Sequence, residues 1–190
     1  VKENIIPIMF GGEHSLSLAP IEYYFKKFPD LVVIQFDAHL DLRQDYLGQK
    51  YSHACAMRRV LDFIKPSHLI QIGIRSGTKD EWNFSRNNCH LFPFQLPDPR
   101  EVIRIIENRP VYLTIDLDVL DTCHLPGTGT PEPGGVSFTT LEDFLNVLYK
   151  NLAIKAMDVM ELSPDYDHSG ISSVVAAKVV RQGILSLSNR

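Results

Sequence analysis

LVVIQFDAHLD, residues 31–41, decides the fold. Val32, Val33, Ile34 and Phe36 make a short, nearly continuous apolar run, which reads as a strand from Leu31 to Asp37. A strand apolar at nearly every position suits a parallel sheet covered on both faces. The same pattern recurs at Ile5 to Phe10, Leu69 to Ile74, Val111 to Asp116 and Ile154 to Leu162, with a shorter strand at His90 to Phe94. Between these runs lie helical patterns. Ser15 to Phe28 carries Leu18, Ile21, Tyr24, Phe25 and Phe28 at helical spacing. Ser52 to Ile64, Pro99 to Asn108, Thr139 to Asn151 and Ser172 to Leu187 read the same way, with Thr139 or Thr140 as the cap of the fourth. Strands alternating with helices of this length argue for βαβ units and one α/β domain over residues 1–190.

Composition narrows the function classes. The chain has 190 residues, 44% hydrophobic and 22% charged, enough for a packed core. Its formal net charge of −4 offers no basic excess for nucleic acid or an anionic membrane surface. Three scattered cysteines, Cys55, Cys89 and Cys123, make no disulfide framework and read as reduced thiols. No apolar run approaches the ~20 residues of a membrane span, and VKENIIPIMF shows no leader pattern. The expectation is a cytoplasmic protein.

Two Gly/Pro-rich loops follow strands directly: Asp118 to Ser137, which contains GTGTPEPGG, and Ser163 to Ser172. Binding crevices of open α/β sheets lie beyond the carboxyl ends of strands. Six ionisable residues stand at such ends. GGEH supplies His14; DAHLD supplies Asp37, His39 and Asp41; DLD supplies Asp116 and Asp118. In an extended segment, residues two apart point the same way, so each group would converge. Four crowded carboxylates need a counter-charge at neutral pH, and two divalent cations would supply it. An oxygen-rich set with two imidazoles and no thiolate favours Mn²⁺ or a similar ion over structural zinc. Such a pair, about 3.5–4 Å apart, would lower the pKa of a water enough to make it a nucleophile. A single Asp after a strand is ordinarily a turn or helix cap; it is the combination of DxHxD, DxD and His14 that makes a dinuclear centre the reading.

These segments also resemble a known family. GGEHS, DAHLD, SHA, DLDVLD followed by PGTGTPEPGG, and MELSP look like the signature segments of the ureohydrolases, the arginase and agmatinase family, in the family's order from about Ile5 to the C-terminus. Glu13 stands where many members have Asp. The resemblance implies a three-layer α/β/α sandwich with a mostly parallel sheet, assembled as a homo-trimer or hexamer. It implies two Mn²⁺ per subunit. His14, Asp37, Asp41 and Asp116 would bind one, and Asp37, His39, Asp116 and Asp118 the other. His53 matches the catalytic proton shuttle, and Glu161 the glutamate that holds the substrate guanidinium. Taken without the family pattern, a helix-start His and a strand-end Glu are ordinary structural residues. Members of the family run to nearly 300 residues, so the chain reads as lacking the N-terminal part of the domain.

The chemistry is coherent for a small guanidino substrate. A guanidinium carbon is a poor electrophile, and the amine it expels must leave protonated. An imidazole can carry that proton near neutral pH. Arginase-like members hold the amino-acid head with an Asn- and Ser-rich loop between DxHxD and the catalytic His. Residues 42–52 here, LRQDYLGQKYS, lack that pattern, and GTGTPEPGG looks more like agmatinase members. The expected reaction is agmatine to putrescine and urea. The nearest rival is 4-guanidinobutyrate or another ω-guanidino acid, whose carboxylate Arg43 or Lys50 could answer. Two other classes stay open: a truncated, non-catalytic metal-binding homologue, and a two-metal phosphoesterase, which would want cationic groups that these loops do not show. Among the remaining residues, His168 could line the pocket, Cys55 reads as a packing thiol, and Arg75 reads as support for structure or an oligomer contact.

Overall fold

A computed structural model describes residues 5–188; Val1 to Asn4, part of the stretch read for a leader, lie outside them. Six strands form one sheet: β1 (Ile8–Phe10), β2 (Val32–Phe36), β3 (Leu69–Ile74), β4 (His90–Pro93), β5 (Pro110–Asp116) and β6 (Ala153–Met160). Their order is β1-β6-β5-β2-β3-β4, and every pairing is parallel. The helices are α1 (Leu18–Lys27), α2 (Ala56–Val60), α3 (Lys79–Asn88), α4 (Pro99–Ile106), α5 (Phe138–Asn151) and α6 (Ile171–Ser188).

Alternation along the strands builds two cores. Val32, Ile34 and Phe36 of β2 join Leu113 and Ile115 of β5 under α4, α5 and α6. Val33, Tyr112 and Ala156 face the other way, onto Ile21 and Tyr24 of α1, Met57 and Val60 of α2, and the flank of Trp82 in α3. This is the expected three-layer α/β/α sandwich. Each fully buried Ile or Leu in it contributes about 1.5–3 kcal/mol by leaving water.

Element ends differ from the sequence reading for local reasons. The first helical stretch opens as a 3-10 turn at His14–Ser17 before α1 begins. The stretch after Ser52 opens as a second 3-10 turn, His53–Cys55, and α2 runs only to Val60. Pro66 follows, and the residue before it, Lys65, is extended, as a prolyl ring requires. The cap of α5 is Ser137, not Thr139 or Thr140: its Oγ accepts from the Thr140 backbone N at 3.1 Å. α4 starts at Pro99, as its sequence implies, behind an Asp98 cap, and ends at Ile106 rather than Asn108 because Glu107 turns to φ 58°. α3 is absent from the sequence reading. It is a polar helix without a clear apolar stripe, and its signal is the reciprocal Thr78–Glu81 capping box.

The strand order positions the site. From β2 the chain steps outward to β3 and β4, then returns to the opposite side of β2 as β5 and continues to β6. The crossovers diverge between β2 and β5, which opens a crevice above their carboxyl ends. Phe36 pairs with Ile115, so Asp37 and Asp116 leave the sheet side by side.

Candidate metal centre

The six predicted ligands converge above β2 and β5. His14 Nδ1 lies 3.1 Å from Asp37 Oδ2, 3.2 Å from Asp41 Oδ2 and 3.3 Å from Asp116 Oδ2. His39 Nδ1 lies 2.9 Å from Asp118 Oδ2 and 3.6 Å from Asp37 Oδ1. Two metal-sized groups result, His14–Asp37–Asp41 and Asp37–His39–Asp118, and they share Asp37. All but His39 are buried.

The convergence has a different cause from the extended geometry that the two-residue spacing suggested. Asp37 Oδ1 accepts from His39 N, and Asp116 Oδ1 accepts from Asp118 N at 2.9 Å. Each carboxylate thus caps a turn at the strand end. Asp118 sits in a 3-10 turn, Leu117–Val119, and Asp41 adopts φ 54°. A left-handed Asp costs about 1–3 kcal/mol and persists where its surroundings hold it. Here the Arg58 backbone N donates to Asp41 O at 2.9 Å.

Electrostatics test whether a cation fits. Burial, then the charges of Asp118 and Asp37, hold the Asp116 carboxyl well above its usual range. Burial and Asp37 push Asp41 up to about 7, and raise Asp118. Burial would raise Asp37 too, but His14 and His39 hold it low. Burial alone would lower His39; Asp118 and Asp37 instead raise it to about 11. His14 is likewise lifted well above the imidazole norm by Asp116, Asp37 and Asp41, against burial. Without a cation this set must hold extra protons. His14 Nδ1 is buried and in hydrogen-bond geometry with no partner, and it points into the carboxylates. Hard oxygen donors, two imidazoles and a shared carboxylate fit divalent cations well.

A second layer, invisible in the sequence reading, holds these ligands. Gln35, Gln71, Thr114 and Asp158 are polar residues inside apolar strands, all fully buried. Asp158 accepts from Tyr112 Oη at 2.7 Å and from Thr114 Oγ1, and Thr114 Oγ1 lies 2.8 Å from His14 Nε2. An ionised carboxylate only accepts, so the Thr114 hydroxyl donates to Asp158 and must accept from His14 Nε2–H. That fixes the tautomer that leaves the Nδ1 lone pair free for a metal. On the other side, Gln35 Nε2 donates to Asp37 Oδ2 at 2.7 Å and Gln71 Nε2 to Gln35 Oε1 at 2.7 Å. Asp158→Asn is expected to lower Mn²⁺ affinity by about 10–100-fold in titration calorimetry. Affinity within about twofold of the parent would remove Asp158 from this role.

Glu161 stands at the end of β6 with φ 63°. Its backbone N donates to Gly12 O at 2.8 Å, and its Oε1 accepts from His14 N at 2.7 Å. Its other oxygen, Oε2, lies beside Gly129, where an added Cβ would sit 3.5 Å away. Burial raises its carboxyl above the usual range. His53 opens the 3-10 turn before α2 and lines a cleft of about 160 Å³ with His39, Asp41, Arg43, Tyr46 and Thr130. His168 is exposed and does not line this cleft.

Arg75 is the structural clamp that its position suggested. Its guanidinium donates to the carbonyls of Asp118 and Glu132 at 2.6 Å each and of Pro133 at 3.1 Å. It thereby pins the GTGTPEPGG loop over Asp118, where Thr130 Oγ1 approaches Asp118 Oδ2 at 3.4 Å. Arg75→Ala strands these acceptors and is expected to cost about 2 kcal/mol in denaturant unfolding. Unchanged stability would show that the loop holds itself.

Comparison with known proteins agrees with this geometry. Residues 1–185 match the model of the Arginase family. The agmatinase of Bacillus subtilis is 41% identical over 188 residues, covering 97% of this chain and 65% of that protein. The agmatinase of Bacillus anthracis is 42% identical over 182 residues, 94% of this chain and 63% of that one. The chain therefore spans a little under two thirds of the length of these curated relatives. A solved structure from Clostridium difficile superposes with a TM-score of 0.93 at 40% identity, over 97% of this chain and 68% of that one.

Proposed function

The chain belongs to the arginase family, and on that footing we propose that it is a binuclear manganese ureohydrolase that splits agmatine into putrescine and urea. One observation carries this reading: four buried carboxylates and two imidazoles converge on one crevice, with Glu161 hydrogen-bonded to the His14 backbone and the His53 ring lining the cleft with His39 and Asp41.

His14, Asp37, Asp41 and Asp116 would hold one Mn²⁺, and Asp37, His39, Asp116 and Asp118 the second. When bound, the ions neutralise the carboxylates and supply an activated water as the nucleophile. The chain's own residues do the rest. Glu161 accepts charge-assisted hydrogen bonds from the guanidinium and turns its carbon toward the crevice. A cationic partner also favours ionised Glu161, against the burial that raises its carboxyl. His53 takes up a proton and delivers it to the departing amine, which must leave protonated.

The cleft supports an amine tail over a carboxylate tail. Arg43, a candidate to answer a carboxylate, is already engaged: its Nε is 3.7 Å from Glu81 and its guanidinium lies 4.9 Å from the Tyr46 ring centroid. Lys50, the other candidate, does not line the cleft. Both relatives named above are agmatinases. The test is urea release by the Mn²⁺-loaded chain from agmatine, arginine and 4-guanidinobutyrate side by side. Agmatine should be turned over with the highest kcat/KM, and chelation should abolish it. A preference for 4-guanidinobutyrate would keep the mechanism and overturn the substrate. No urea from any of the three, with Mn²⁺ bound, would favour a non-catalytic metal-binding role. Cytoplasmic residence and a homo-trimer or hexamer remain part of the proposal. Among the described residues, no helix is long and apolar enough to cross a membrane.

A further inference from the structure

The loop from Leu42 to Ser52 holds none of the residues assigned to metal or guanidinium, yet it brings one aromatic ring against His53. Tyr46 and Gln49 close a two-residue turn, each backbone N donating to the other's carbonyl at 3.0 and 2.9 Å. Leu47 and Gly48, between them, both adopt positive φ, 51° and 77°. Such a turn is tight and leaves little freedom in where Tyr46 departs from the backbone. The Tyr46 ring meets the His53 ring edge-on, with centroids 5.6 Å apart and planes at 63°.

Tyr46 is itself anchored. The Arg43 guanidinium packs 4.9 Å from its ring centroid, and Arg43 Nε lies 3.7 Å from Glu81 Oε2. Glu81 is buried, caps α3 through Thr78 and accepts from Leu42 N at 2.9 Å. Arg43 N also donates to Ala54 O at 3.1 Å, one residue beyond His53. A continuous line of contacts thus runs from α3 through Glu81, Arg43 and Tyr46 to His53. The polar contacts of His53 are long by comparison: Ser52 Oγ at 3.4 Å and Glu13 Oε2 at 4.0 Å, both on Nδ1. Neither fixes the plane of the ring. Arg43, Tyr46, Glu81 and His53 all line the same cleft.

We infer that Tyr46 is a positioning residue for this reaction, holding the His53 imidazole so that Nε2 faces the departing amine. The inference rests on the reading above, in which His53 carries the proton. An edge-on aromatic contact is directional as well as apolar, so it restricts ring rotation in a way that an aliphatic side chain of similar size does not. The phenol hydroxyl plays no part.

The test compares Tyr46→Leu with Tyr46→Phe in the Mn²⁺-loaded chain. Tyr46→Leu should lower kcat for agmatine roughly tenfold, since a catalytic group slightly out of place is costly, with KM and Mn²⁺ affinity nearly unchanged. Tyr46→Phe should match the parent. In a His53→Ala background, Tyr46→Leu should cause no further loss, because its effect passes through the imidazole. NMR relaxation of the His53 ring in the metal-free chain gives a readout that needs no substrate: the imidazole should be more mobile in Tyr46→Leu and unchanged in Tyr46→Phe. That readout separates failure of this inference from failure of the agmatine assignment. Unchanged His53 ring mobility in Tyr46→Leu would overturn it, as would an equal kcat loss in the His53→Ala background or a loss of Mn²⁺ affinity that accounts for the fall.

Discussion

His53→Ala is expected to lower kcat for urea release by about 10²–10⁴-fold, the usual contribution of a positioned general acid–base group. Cation binding should survive the change. His53 lies outside both groups of converging ligand atoms and reaches the crevice only through the cleft wall. Removing it leaves the carboxylates and their supporting hydrogen bonds untouched. What is lost is a proton at the moment the C–N bond breaks, when an unprotonated amine is a very poor leaving group. KM should therefore change little while kcat falls, the pattern of an interaction made mainly in the transition state. Added imidazole should restore part of the rate, since a free base can enter the space the side chain vacated. A fall in kcat of less than about tenfold, or an equal loss of bound Mn²⁺, would remove His53 from the role of proton carrier.

The second large effect is on stability. Mn²⁺ added to the metal-free chain at a hundred times its Kd should stabilise the fold by about 2.7 kcal/mol. For a chain of this size that is a rise in Tm of about 5–10 °C. At a fixed Mn²⁺ concentration the gain should grow with pH as Kd falls, and the sign follows from the site. Asp41 is pushed up to about 7 by burial and by Asp37, above its value in an unfolded chain. Between about pH 4 and 7 the metal-free fold thus holds more protons than the unfolded chain, and its stability falls as pH rises. His39 works in the same sense over a higher pH window. Raised to about 11, it contributes stability that is complete below the unfolded imidazole value and is lost only as pH climbs through its folded value. A cation must displace the protons on Asp41, Asp116 and His39, so affinity rises with pH and binding near neutral pH releases protons. Calorimetry in buffers of different ionisation enthalpy counts those protons. Asp37→Asn, which neutralises the carboxylate common to both groups, should abolish most of the Tm gain. No gain in the parent, or no proton release, would contradict a metal centre here.

Much of this molecule was legible in the sequence because its signals are local. A strand buried on both faces is apolar at nearly every position, so β2, β3, β5 and β6 stand out as runs. The ligands follow those strands at fixed spacing, so their convergence could be read before any coordinates, though turns capped by Asp37 and Asp116 bring it about rather than extended chain. Pro99 marked the start of α4 for the same local reason.

Tertiary structure alone decided the rest. Gln35, Gln71, Thr114 and Asp158 are single polar residues inside apolar strands, and their meaning depends on strand order and register, which set long-range pairings that no local pattern encodes. The polar helix α3 could be found only from its capping box, and only folding shows that Glu81 reaches from that box to Leu42 and Arg43. The contact of Tyr46 with His53 belongs to the same class, for it depends on how a two-residue turn is aimed in space. The sequence by itself determined which ionisable groups gather at the strand ends; the packed fold decided what holds each of them in place, because orientation is a property of contacts between segments far apart in the chain.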